Sequence, residues 1–238
     1  MKPVVVGHRG VAGHYPENTK SSVLAAIELG LQWIEVDVQP TKDDVLVVCH
    51  DHTINRCSNG KGRVDNHTLT ELRQFDFGHW FDSQFQGESI MTLEELLVIA
   101  EQHNLSINIE VKLDSQDVTK VVQTLKDLLE RSSLSKDAIL LSSFNQDTMR
   151  ELHLHCKGYK LGVLCESLTK KAWQLLADID AFSCNLNARF TTQNDIKALQ
   201  SAGYQVWCYT VNDPNMLLTL KGIDGVFSDF PERFLDLN

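Results

Sequence analysis

Glu35 and Asp37 stand two residues apart in the apolar stretch Trp33-Ile-Glu-Val-Asp-Val38. Side chains alternate across a strand with a period of two, so both carboxylates point to one face. A buried strand tolerates such a pair when something cationic lies between them. Ser106-Ile-Asn-Ile-Glu-Val-Lys112 places Glu110 and Lys112 on one face in the same way, and the run Val4–Val6, bounded by Gly7, delivers His8 and Arg9. His50 follows a further apolar, β-branched run, Val45–Cys49. Three carboxylates with no thiolate among them favour a hard cation with oxygen ligands, Mg²⁺ or Ca²⁺. Arg9 and Lys112 offer fixed positive charge of the kind that holds a phosphate. His8 and His50 suit a general acid and a general base near neutral pH. Metal-assisted displacement at phosphorus is the chemistry that employs all seven groups.

The elements that must position them follow from periodicity. Strand patterns at 4–7, 33–38, 106–111, 138–142, 160–165, 180–185, 205–210 and 225–227 alternate with helical patterns. The helices fall after Thr19, after Thr92, and near 117–131, 146–156, 168–177, 193–201 and 214–220, with a last one from Pro231. Eight strands alternating with eight helices predict a (β/α)₈ barrel, an α/β fold whose functional groups gather at the C-terminal ends of its strands. Val45–Cys49 has no helix before it and cannot be a regular barrel strand. Pro40 and Thr41–Asp44 read as a turn, making this run the return arm of a hairpin on the second strand. An even-length loop centred between Lys42 and Asp43 would set His50 opposite Glu35, on the shared face of Glu35 and Asp37; an odd-length loop would turn it away. Residues 51–90 lack a strong period and read as an insertion or lid, about forty residues long, with a short helix near 68–75 and a satellite core of aromatics.

Composition bounds the function. One domain over 1–238 is expected, with a net charge of -10 that disfavours nucleic acid or an anionic membrane as the main partner. No apolar run is long enough to span a bilayer, no secretory leader is evident, and the six scattered cysteines read as reduced, buried thiols; the expected location is cytoplasmic. His14, His52, His67, His79 and His103 read as loop or surface residues.

His8-Arg9-Gly10, Pro16-Glu17-Asn18-Thr19, Glu35-x-Asp37, His50-Asp51, Glu110-x-Lys112, Thr210-Val211-Asn212, Asp224-Gly225 and Asp229-Phe230-Pro231 occur in that order. The ordered set covers nearly the whole chain and resembles the glycerophosphodiester phosphodiesterase family, in its short bacterial form. The resemblance implies a TIM barrel that hydrolyses glycerophosphodiesters to an alcohol and glycerol 3-phosphate. By motif position it implies Glu35, Asp37 and Glu110 as metal ligands, His8 and His50 as the acid/base pair, and Arg9 and Lys112 on the phosphate. Tyr209 is then expected at the glycerol pocket. The partner implied is a small glycerophosphodiester, and a homodimer is compatible with it. The family's turn reads Thr-x-Asp-Gly, whereas Asp44 stands here in place of the glycine. The alternatives are a related phosphodiesterase acting on lysophospholipids or phosphoinositides, and a non-catalytic barrel that binds a phosphorylated ligand.

Overall fold

The computed structural model describes residues 2–235. Its strands are β1 (Val4–His8), β2 (Trp33–Pro40), β3 (Leu46–Val48), β4 (Ser106–Val111), β5 (Ile139–Ser143), β6 (Lys160–Cys165), β7 (Ser183–Asn187), β8 (Gln205–Tyr209) and β9 (Gly225–Ser228). The α-helices are α1 (Lys20–Glu28), α2 (Leu69–Leu72), α3 (Leu93–His103), α4 (Val118–Arg131), α5 (Gln146–His155), α6 (Lys170–Asp178), α7 (Gln193–Ser201) and α8 (Glu232–Leu235). Eight strands pair in parallel around the ring β1-β2-β4-β5-β6-β7-β8-β9, and β9 pairs back onto β1 to close it. This is the expected (β/α)₈ barrel, with β3 as the antiparallel arm outside the ring.

Alternation decides which side chains face where. Ile34, Val36 and Val38 of β2 and Ile107, Ile109 and Val111 of β4 point outward, beneath Leu96, Leu97 and Ala100 of α3 and Val122 and Leu125 of α4. The intervening positions point into the barrel. There Val6, Leu140, Trp207 and Phe227 form a separate apolar plug with Trp33, whose ring meets Trp207 edge to face at 5.6 Å. The plug fills the barrel interior, so the polar groups sit above a dry floor. Helix starts are fixed locally: Thr19 caps α1, and Thr92 with Glu95 forms a capping box on α3, each cap contributing about 1 kcal/mol. No helix among the described residues is long and apolar enough to cross a membrane.

Three details differ from the sequence reading. The strand expected at 180–185 is β7, at Ser183–Asn187, because the chain is still leaving α6 at Ala181, whose N–H reaches Leu176 O at 3.0 Å. The helix expected at 214–220 is a 3₁₀ segment, Pro214–Leu218. The hairpin register is shifted by one: Val38 pairs with Val48 and Pro40 with Leu46, so the loop is odd. Asp44 takes the left-handed conformation at φ +63° within the five-residue loop between Pro40 and Leu46. The even register with His50 opposite Glu35 is therefore not formed.

Residues 51–90 wrap the outer side of the arm. Val47 and Cys49 join Ile54, Val64, Leu72, Phe77 and Ile90 in a small second core, with Phe75 against it. The short helix expected near 68–75 is α2, begun by the Thr68–Glu71 capping box.

Candidate active site

Parallel pairing aligns the functional groups at the C-terminal ends of three neighbouring strands. His8 of β1 is in register with Glu35 of β2, and Asp37 of β2 with Glu110 of β4. Arg9 and Lys112 are the residues directly after β1 and β4. A cavity of about 210 Å³ opens here, lined among others by His8, Arg9, Glu35, His50, Glu110, Lys112 and Tyr209. Of the eight residues singled out from sequence, these seven line the cavity, and Asp37 lies buried beneath it. A larger groove of about 640 Å³ lies between the insertion and α3, and its Arg73 and Glu88 are already engaged by Glu95 and Ser21. We place the candidate site in the smaller cavity, where ionisable groups from three strand ends converge and buried carboxylate oxygens lack hydrogen-bond donors.

One oxygen from each of Glu35, Asp37 and Glu110 lies within 4.8 Å of the others. Each carboxylate also keeps one buried oxygen without a hydrogen-bond donor: Glu35 Oε1, Asp37 Oδ1 and Glu110 Oε1. Lys112 Nζ approaches Glu110 Oε1 at 2.5 Å and Asp37 Oδ1 at 3.3 Å, close enough for ion pairing but outside hydrogen-bonding angles. Three buried carboxylates clustered this closely, each with an oxygen that accepts no hydrogen bond and with no sulfur ligand among them, fit a hard divalent cation. The electrostatics agree. Burial, followed by repulsion from Asp37 and Glu110, raises the Glu35 carboxyl well above its ordinary range. Burial and then Asp37 push Glu110 up to about 7. Burial opposes ionisation of Asp37 too, but Lys112, Arg9, His50 and the Asn18 amide outweigh it and hold this carboxyl well below the usual range.

The loop between β1 and α1 braces this cluster. Arg9 takes a left-handed conformation at φ +52°, which costs a non-glycine residue about 1–3 kcal/mol. Its carbonyl accepts from Asn18 N at 3.1 Å and Ser22 Oγ at 2.8 Å, while its own N–H donates to Glu35 Oε2 at 3.1 Å. The Arg9 guanidinium donates to Glu17 at 2.7 Å, and Asn18 Nδ2 donates to Asp37 Oδ2 at 2.9 Å.

Each histidine is held by a carboxylate that sequence reasoning did not assign. His8 Nδ1 lies 2.6 Å from Asp229 Oδ1, and Asp229 Oδ2 in turn accepts from Asn212 Nδ2 at 2.7 Å. His50 Nδ1 lies 2.7 Å from Asp51 Oδ1, and Arg56 clamps Asp51 and Glu17 together from outside. An ionised carboxylate only accepts, so each Nδ1 carries the proton and each Nε2 is left to the cavity. His8 Nε2 stands 3.8 Å from Glu35 Oε2. Burial, with Arg9 and Lys112, lowers the His50 pKa despite the pull of Asp37. The motif residues Asp51, Asn212 and Asp229 were visible as polar groups at strand ends, but pairing them with a particular histidine takes three dimensions.

His50 reaches the cavity although the hairpin register turns it from Glu35. β3 ends at Val48, and Gln39 Nε2 then binds the carbonyls of Cys49 and Asp51, both at 2.8 Å. This clamp swings the backbone off the ladder between them. Cys49 packs away into the second core, and all six cysteines are free thiols. His52 lies 3.9 Å from Asp114 and does not line the cavity. Tyr209 stacks edge to face on Phe144 at 5.8 Å, and its buried hydroxyl has no partner.

The model of the glycerophosphoryl diester phosphodiesterase family matches residues 8–233. A curated glycerophosphodiester phosphodiesterase from Caldanaerobacter subterraneus subsp. tengcongensis is 31% identical over 100% of this chain and 98% of its own. One from Bacillus altitudinis is 33% identical over 96% and 95%. Among solved structures, an Oleispira antarctica phosphodiesterase in complex with the product sn-glycerol-3-phosphate superposes with a TM-score of 0.93 at 28% identity, covering 98% of this chain and 95% of its own. With a family model spanning all three strand ends and both histidines, and full-length relatives above 30% identity, the chain belongs to the glycerophosphoryl diester phosphodiesterase family.

Proposed function

We propose that this protein hydrolyses glycerophosphodiesters to an alcohol and glycerol 3-phosphate, using one divalent cation, Mg²⁺ or Ca²⁺, held by Glu35, Asp37 and Glu110. The observation that carries the reading is the pair of carboxylate-anchored histidines on one cavity wall, beside three buried carboxylates with unsatisfied oxygens. When bound, the cation supplies positive charge to the non-bridging phosphate oxygens. Arg9 and Lys112 orient the same group from either side. One histidine Nε2 takes the proton of the attacking hydroxyl as its oxygen bonds to phosphorus. The other, protonated on both ring nitrogens, gives its Nε2 proton to the departing alcohol oxygen as that P–O bond breaks. The attacking hydroxyl is water, or the substrate's own glycerol 2-hydroxyl, which has a large proximity advantage and gives a cyclic phosphate that water then opens to glycerol 3-phosphate. A 2-deoxy analogue separates the two: unchanged turnover excludes internal attack. Six free thiols suit a reducing, cytoplasmic setting.

Coupled detection of glycerol 3-phosphate released from glycerophosphocholine, with and without EDTA, tests the proposal. Release that EDTA abolishes and Mg²⁺ or Ca²⁺ restores is expected. No release across several head groups, or release indifferent to EDTA, refutes it.

A further inference from the structure

The cavity carries one carboxylate that the chemistry above does not use. Glu166 follows directly on β6, the strand four places round the ring from β1 in either direction, so it faces Arg9 across the barrel mouth. Its Oε2 accepts from Asn187 Nδ2 at 2.7 Å, which fixes the side chain. No cationic side chain among the described residues pairs with it, in contrast to Glu17, Asp37 and Glu110. It is exposed at the rim, and beside it on the same wall stand Phe144, also exposed, and Tyr209. The negative charge of Glu166 raises the Tyr209 pKa, second only to burial, which marks the two as neighbours.

We propose that Glu166 and Phe144 form a subsite for a cationic head group, so that ammonium-bearing glycerophosphodiesters of the choline and ethanolamine type are preferred over neutral ones. The inference rests on the hydrolytic reading given above. Lys112 Nζ lies 5.6 Å from the centre of the Phe144 ring, so a phosphate held by Lys112 is one side chain away from that ring. A head group leaving the phosphate along this wall passes from the end of β4 over Phe144, directly after β5, to Glu166, directly after β6. Aromatic faces attract ammonium groups through their quadrupole, and a fixed carboxylate adds a full opposite charge. Lys112 does not pair with Glu166; its ion pairs are with Glu110 and Asp37, and its charge is directed at the phosphate. The subsite sits at the open mouth, where a head group that departs as free alcohol has a direct exit.

The test compares glycerophosphocholine with its uncharged carbon isostere, the 3,3-dimethylbutyl ester of glycerol phosphate. Wild type should favour the choline ester in kcat/KM by about 5- to 30-fold, in line with a partly desolvated cation–π and charge pair. Glu166→Gln, which keeps the bond to Asn187, should bring the ratio close to 1 by slowing the choline ester alone, and Phe144→Leu should lower it in part. Unaltered turnover of the isostere certifies that both variants are folded. Equal loss on both esters by Glu166→Gln, or a wild type that does not discriminate, overturns the subsite while leaving the hydrolase intact. Failure of wild type on both esters overturns the hydrolytic reading itself.

Discussion

Glu110→Gln should stabilise the metal-free protein while destroying its use for a cation. Burial and the neighbouring Asp37 raise the Glu110 pKa from 4.5 to about 7. The folded chain therefore keeps a proton that the unfolded chain has released, and stability falls as pH rises from 4.5 to about 7. Each pKa unit is about 1.4 kcal/mol, so at pH 8 the wild type forfeits on the order of 3 kcal/mol at this residue. Glutamine carries no such burden. The figure is a ceiling, because Lys112 loses its 2.5 Å partner in the same substitution. For a chain of this size 1 kcal/mol moves the melting temperature by roughly 2–4 °C, which gives an expected gain of about 6–12 °C at pH 8. The assay is thermal unfolding of wild type and variant, stripped of metal and desalted, at pH 4.5 and pH 8. The variant's advantage should be large at pH 8 and small at pH 4.5, and excess Mg²⁺ or Ca²⁺ should reverse the order at pH 8 by stabilising only the wild type. A pH-independent difference, or a variant less stable than wild type at pH 8 without metal, refutes the reasoning.

Further outcomes follow from the same geometry. Asp229→Asn removes the acceptor that fixes His8 Nδ1–H, and kcat should fall by about 10²-fold or more with little change in KM; steady-state kinetics decide it. Replacing either His8 or His50 by alanine should lower kcat by about 10²- to 10⁴-fold. The ring of His50, followed by NMR in metal-free protein, should titrate below 6.5, since burial disfavours its cation; a midpoint at or above that value contradicts the packing described here. Gly78→Ala would place a Cβ 1.9 Å from Phe85 O, and denaturant unfolding should register a loss of about 1–3 kcal/mol from the insertion.

What could be read in the sequence was whatever depends on short-range periodicity. Glu35 and Asp37 share a face because β2 is regular, and Glu110 joins them because parallel pairing aligns β4 with β2. Of the two hairpin registers the sequence leaves open, the odd one is formed. Sequence alone does not say that Asp44 adopts φ +63° or which residues close the hairpin loop, and a one-residue difference there changes the loop from even to odd. His50 still reaches the cavity because Gln39 captures two carbonyls beyond the ladder, a long-range bond without local signature. Asp229 lies 221 residues from the histidine it holds, and Glu166 acquires interest only when ring closure sets it opposite Arg9.

The two histidines hang on supports of different stiffness. β1 is paired on both edges, so His8 cannot shift without opening a closed ring. β3 pairs with β2 along one edge, and its other edge is held only by a short contact at the start of α3, where Val48 N–H meets Met91 O at 2.8 Å and Val47 bridges Thr92. The spacing between the two histidines is therefore set by supports of unequal bonding. Its setting screw lies at Met91 and Thr92, which are absent from the cavity wall. Substitutions there would shift His50 relative to His8 without altering any residue that lines the cavity.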